Sequence, residues 1–155
     1  QMVGIIITGH SNFATGIVSA VRLVAGEQKN LEVVDFYDTY STEELRTKLI
    51  EALDRLDGCE DIIVFTDIVG GSPFKVSAEI AATSNKNIQF AHIQWYNKNI
   101  KIISGTNLGM LLENVMVRDM DTDFDELVET AISTGKQQVL KFEMCRETEE
   151  DHEGI

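Results

Sequence analysis

The chain has 155 residues, of which 43% are hydrophobic and 25% charged, and its formal net charge is −13. That length supports one compact domain with a core of its own, and the composition is that of an ordinary globular protein. The charge excludes nucleic-acid binding, which needs a basic footprint; it suits a basic patch on a partner protein, and it equally keeps a protein soluble with no partner in view.

Residues 3–8, Val3-Gly-Ile-Ile-Ile-Thr8, form a continuous apolar run that reads as a strand buried on both faces. Ala14, Ile17, Val18, Val21 and Ala25 then repeat at helical spacing, with Gly26 as the stop. A second strand spans residues 31–36. Ser41 or Thr42 caps the next helix, Glu43 and Glu44 sit in its first turn, and Leu45, Leu49, Leu53 and Leu56 form its apolar stripe. Residues 61–65 are a third strand. It runs into Thr66-Asp-Ile-Val-Gly-Gly-Ser-Pro-Phe74 and an Ala-rich helix to about Thr83.

Residues 88–103 hold two β-favouring runs split by Tyr96-Asn-Lys-Asn99, which predicts a hairpin-like pair of strands. Residues 108–117 read as a short helix. Phe124, Leu127, Val128, Ala131 and Ile132 open a last amphipathic helix, expected to end near Phe142. From Glu143 the chain turns acidic. The expected organisation is one domain over residues 1–142 and a flexible acidic tail over 143–155. Alternating strands and helices predict an α/β fold: a doubly wound, mainly parallel central sheet with helices on both faces.

No apolar run approaches the roughly 20 residues that span a bilayer, and no signal-peptide pattern opens the chain. A cytoplasmic location is expected. Cys59 and Cys145 lie far apart and form no C-x-x-C pair, so both read as reduced thiols.

In open α/β sheets, sites form at the carboxyl ends of strands. Two such ends carry reactive residues. His10 follows strand 1 in Thr8-Gly-His10-Ser-Asn12, just before a helix whose N-terminus suits an anion; Gly9 lets the backbone bend and approach closely. Alone, His10 reads equally well as a loop histidine without a role. Asp67 follows strand 3, ahead of Gly70-Gly71-Ser72-Pro73, where Ser72 is a natural N-cap and Pro73 a natural first helical residue. Alone, this is a turn aspartate before a well-capped helix.

Together the two ends say more. If strand 1 is central and flanked by strands 2 and 3, His10 and Asp67 end on neighbouring strands. A carboxylate on one ring nitrogen fixes the tautomer and frees the other nitrogen as a nucleophile. Phosphoryl transfer demands mainly in-line positioning and charge stabilisation. A His–Asp pair backed by glycines therefore suits a covalent phosphohistidine relay.

Other chemistries fit less well. There is no G-x-x-x-x-G-K-[ST] loop and no G-x-G-x-x-G after strand 1. His10, His92 and His152 show no metal spacing, so neither metal nor cofactor is expected. A receiver-type domain would want an acidic pair after strand 1, which Thr8-Gly9-His10 does not supply.

On these residues the chain resembles the mannose-type enzyme IIA family of the bacterial sugar phosphotransferase system, whose members serve mannose, fructose, sorbose and N-acetylgalactosamine. The resemblance rests on Ile5-Ile-Ile-Thr-Gly-His10, Phe65-Thr-Asp-Ile-Val-Gly-Gly-Ser-Pro-Phe74, Ser104-Gly-Thr-Asn-Leu-Gly-Met-Leu-Leu-Glu113 and Asp123-Phe-Asp-Glu-Leu127. It implies that His10 is the phosphohistidine, modified on Nε2, and that Asp67 orients it. Ser72, Gly9 and Gly71 would support the phosphate. It implies a phosphorylated histidine-containing carrier protein as donor and an enzyme IIB histidine as acceptor, with membrane permease components reached indirectly. It also implies a homodimer that exchanges an edge strand. Three departures stand out: Asn12 and Val69 replace flanking aromatics of some members, Gly109 replaces a common proline, and residues 87–100 run longer than usual. Two alternatives stand beside this reading: the phosphoryl-donor subunit of a phosphotransferase-linked dihydroxyacetone kinase, which usually lacks G-G-S-P-F, and a non-catalytic flavodoxin-like regulatory module.

Overall fold

A computed structural model describes residues 2–84 and 98–145 of the chain. Strands β1 (Val3–His10), β2 (Leu31–Phe36), β3 (Asp61–Thr66) and β4 (Asn99–Ile103) form one sheet in the order β2-β1-β3-β4. Every pairing in it is parallel. Helices α1 (Phe13–Ala25), α2 (Thr42–Arg55), α3 (Ser72–Ser84), α4 (Leu108–Val117) and α5 (Phe124–Gln137) cover it. The expected α/β architecture, with β1 between β2 and β3, is the one observed.

The apolar runs explain the layering. Side chains alternate faces along a strand. Ile5, Ile7, Ile63 and Phe65 therefore enter one core with Val18 of α1, Leu111 of α4 and Leu127 of α5. Ile6, Ile62 and Val64 enter the other, with Leu45 and Leu49 of α2 and Val76 and Ile80 of α3. β1 is buried on both faces from Val3 to Gly9, which is why it opens as a continuous apolar run, with Thr8 its one polar buried position. Side chains close the helix starts. The Ser41 hydroxyl accepts the Glu44 N–H of α2 at 3.1 Å, and the Asn107 carbonyl accepts the Met110 N–H of α4 at 3.1 Å. Asn107 Nδ2 also donates to the Gly135 carbonyl at 2.9 Å and ties α5 to the start of α4.

Of two expectations, one is tested only in part and one differs from what is observed. Of the two runs in residues 88–103, the second forms β4, which pairs parallel with β3; the first falls in residues 85–97, outside the described residues, as do His92, His152 and all of the acidic tail after Cys145. The last helix ends at Gln137 rather than near Phe142. Its buried stripe is Leu127, Val128, Ala131 and Gly135. Beyond it Val139, Leu140 and Phe142 are all more than three-quarters exposed, so no core contact extends the helix.

Candidate functional site

The carboxyl ends of β1 and β3 lie side by side, and Thr8 is directly paired with Thr66. Just beyond this pair, His10 and Asp67 meet. One oxygen of Asp67, Oδ2, accepts both the His10 backbone N–H at 2.8 Å and the ring Nδ1 at 2.7 Å. The other, Oδ1, accepts the Ile68 N–H at 2.8 Å. An ionised carboxylate can only accept, so Nδ1 carries a proton, and in the neutral ring the lone pair then lies on Nε2. Burial pushes the Asp67 carboxyl up, but hydrogen bonds from the His10 N–H, the His10 ring and the Ile68 N–H outweigh it and hold it below its ordinary value. The imidazole is 44% exposed and the carboxylate 11%, so the nucleophile faces solvent while its orienting group does not.

The loop after β4 fixes Asp67 from behind. Gly105 N–H donates to the Asp67 carbonyl at 2.7 Å, and Gly105 needs its φ of 71° to do so. The Thr106 hydroxyl donates to the Thr66 carbonyl at 2.7 Å, and the buried Thr66 hydroxyl donates to the Ile103 carbonyl at 2.9 Å.

The glycines serve different ends. A Cβ on Gly71 would lie 2.7 Å from His10 Cε1 and 3.4 Å from Nε2, so Gly71 leaves room for the ring. A Cβ on Gly9 would lie 2.5 Å from Phe13 Cδ1, so Gly9 makes room for Phe13 at the start of α1. Ser72 is the first residue of α3 rather than its cap: Lys75 N–H closes on the Gly71 carbonyl at 2.9 Å, which puts Gly71 in the capping place. The Ser72 hydroxyl meets no partner among the described residues. His10, Asp67 and Gly71 are thus brought into contact. Ser72 stands next to them, and Gly9 belongs to the opposite face. Gly71→Ala is expected to slow transfer about tenfold by displacing the ring, with the folded state retained; the ratio of single-turnover rates checks it.

The two helix N-termini at this edge are not equivalent. The N–H groups of Ser72 and Phe74, in the first turn of α3, meet no acceptor among the described residues. At α1 the third N–H, from Thr15, donates to Asp35 Oδ1 at 3.0 Å, while the nominal cap Asn12 makes no capping bond. A carboxylate from β2 already fills that end. Phe36, next along β2, packs edge-on against the His10 ring with centroids 5.9 Å apart. Asp35, Phe36 and Tyr37 escaped the sequence reading. Their signal was available: polar and aromatic residues at the carboxyl end of a strand next to the central one. Among the described residues no group of three His, Cys, Asp or Glu side chains is placed to hold a metal ion, and no helix is long and apolar enough to cross a membrane.

Comparison with known proteins gives this geometry a family. The family model described as "PTS system fructose IIA component" matches residues 4–132. The PTS system mannose-specific EIIAB component of Escherichia coli (strain K12) is 31% identical over 137 residues, which is 88% of this chain and 38% of that protein. This chain therefore spans well under half of that relative's length. The PTS system fructose-specific EIIA component of Bacillus subtilis (strain 168) is 25% identical over 76% of this chain and 72% of its own length. In three dimensions, the crystal structure of phosphotransferase system component EIIA from Streptococcus agalactiae superposes with a TM-score of 0.77 at 32% identity, covering 90% of this chain and 97% of that one. With a family model matching residues 4–132 and a relative 31% identical over 88% of this chain, it belongs to the mannose-type enzyme IIA family of the phosphotransferase system.

Proposed function

We propose that this chain is a phosphocarrier for sugar uptake, and that His10 carries the phosphoryl group. The observation that carries the reading is the 2.7 Å contact between His10 Nδ1 and Asp67, which leaves Nε2 as the exposed nucleophile. Nε2 attacks the phosphorus of a phosphohistidine on the carrier protein. The donor N–P bond breaks as the new one forms, and the donor imidazole leaves with its electron pair. His10 becomes a cationic phosphoryl-imidazolium, and Asp67 opposes that charge without a proton having to move. The open N–H groups at the start of α3 face the same edge and suit the phosphoryl oxygens. Transfer to a histidine of enzyme IIB reverses these steps and, through the permease, drives phosphorylation of a hexose or amino sugar on the cytoplasmic side. The test is incubation with phosphorylated carrier protein. An acid-labile, base-stable adduct is expected, one per chain; no adduct would overturn the proposal.

We also infer a homodimer with an exchanged edge strand. β4 is the last strand of the sheet, so one side of its backbone is unpaired among the described residues. Residues 140–144 alternate in a strand-like way: Leu140, Phe142 and Met144 at one set of positions, each at least 76% exposed, against Lys141 and Glu143 at the other. Such a segment fits the open β4 edge of a second copy. Phe142→Asp is expected to shift the protein from dimer to monomer in light scattering. A wild-type protein that is strictly monomeric would refute the exchange.

A further inference from the structure

The turn that follows His10 is unusually well held, and not by the His–Asp pair. Ser11 sits at φ 51°, a conformation that L residues rarely adopt. Three consecutive residues at the end of β2 grip the segment around it. The Phe36 carbonyl accepts the Ser11 N–H at 2.6 Å. The Tyr37 hydroxyl lies 2.7 Å from Asn12 Oδ1 and 3.1 Å from Asp35 Oδ2. Asp35 accepts the Thr15 N–H at 3.0 Å and also the Thr15 hydroxyl. The parallel register explains the convergence: Asp35 pairs with Gly9 and Phe36 with His10, so alternation sends Asp35 to the α1 face and Phe36 to the His10 face. Desolvation first, and then the bond to Asp35, raise the Tyr37 phenol above its ordinary value, so it remains a donor near neutral pH.

We propose that Asp35 is a positioning residue for phosphoryl transfer: with Thr15 and Tyr37 it anchors the start of α1 and the strained Ser11 turn, and thereby aims the His10 ring. This rests on His10 being the phosphorylated residue. Asp35 does not touch that ring. It acts through the backbone on the side of His10 that Asp67 leaves unsupported. Helix capping alone would require only the Thr15 N–H; the Thr15 and Tyr37 hydroxyls both converging on the same carboxylate oxygen go beyond a cap.

The test uses the full chain with phosphorylated carrier protein, in single turnovers across carrier concentrations. Asp35→Ala is expected to lower the limiting rate about tenfold with the half-saturating carrier concentration unchanged. Thr15→Val should fall several-fold and Thr15→Ser should recover, because serine keeps the hydroxyl. Tyr37→Phe removes a single hydroxyl and supplies the decisive variant if Asp35→Ala does not fold. Nitrogen NMR of the His10 ring adds a readout that a purely structural cap would not move: distinct Nδ1 and Nε2 shifts in the wild type should converge in the variants as the ring loses its fixed tautomer. Folded variants with limiting rates within twofold of wild type, or a loss confined to half-saturation, would overturn the assignment. Failure of the wild type itself to accept phosphate on His10 would instead overturn the underlying reading.

Discussion

His10→Ala is expected to reduce phosphate acceptance to background and leave the fold intact. The chemistry has no second candidate at this edge, since His10 is the only histidine among the described residues. The structural cost is small for a definite reason. The imidazole is 44% exposed, and a contact that open contributes at most about 1 kcal/mol. Asp67 keeps its two backbone donors, His10 N–H and Ile68 N–H, when the ring is gone. Phe36 loses an edge-on neighbour but not its place on β2. Circular dichroism and the thermal midpoint should therefore track the wild type while the phosphate adduct vanishes. Retained acceptance at wild-type level would move the site elsewhere in the chain.

The sheet was legible because its strands are the residues that must be apolar. A strand buried on two faces leaves a mark such as Ile5-Ile-Ile7 that little else imitates. The His10–Asp67 pair was legible for a topological reason: central β1 and neighbouring β3 end at one edge, and each end carries a single ionisable residue. What stayed hidden depends on atoms rather than pattern. Asp35 resembled any acid at a strand end until the register placed it opposite Gly9. Gly9 and Gly71 read alike as flexible phosphate-site glycines, but one yields to Phe13 and the other to the His10 ring. Lys98 stood only as part of the Tyr96-Asn-Lys-Asn99 break. It is buried, and its ammonium donates to the Leu56 and Cys59 carbonyls at 2.7 Å, closing the end of α2. The end of α5 was misjudged because a helical stripe and a strand alternation both fit residues 136–142 over so short a run.

Asp67→Asn should slow transfer about a hundredfold without abolishing it. In the wild type one carboxylate oxygen accepts two donors from His10 and the other accepts Ile68 N–H. An asparagine has one acceptor and one amide donor for these same three groups. If its oxygen faces His10, the amide opposes the Ile68 N–H; if the amide faces His10, it opposes the backbone N–H and turns the ring toward the wrong tautomer. Either way the negative charge that opposes the phosphoryl-imidazolium is gone. Nε2 survives, so a residual rate survives with it. The pH dependence of stability separates this role from a simple turn contact. Asp67 has its folded value held below the unfolded carboxyl value of about 3.9. Its ionised form therefore contributes stability above that value, and the contribution is lost as pH falls through the folded value. The stability gap between wild type and Asp67→Asn should close as pH falls below roughly 4. Denaturant titrations across that range measure it. A gap that persists below about pH 4, together with an unchanged transfer rate, would reduce Asp67 to a turn residue and remove the orienting half of the site.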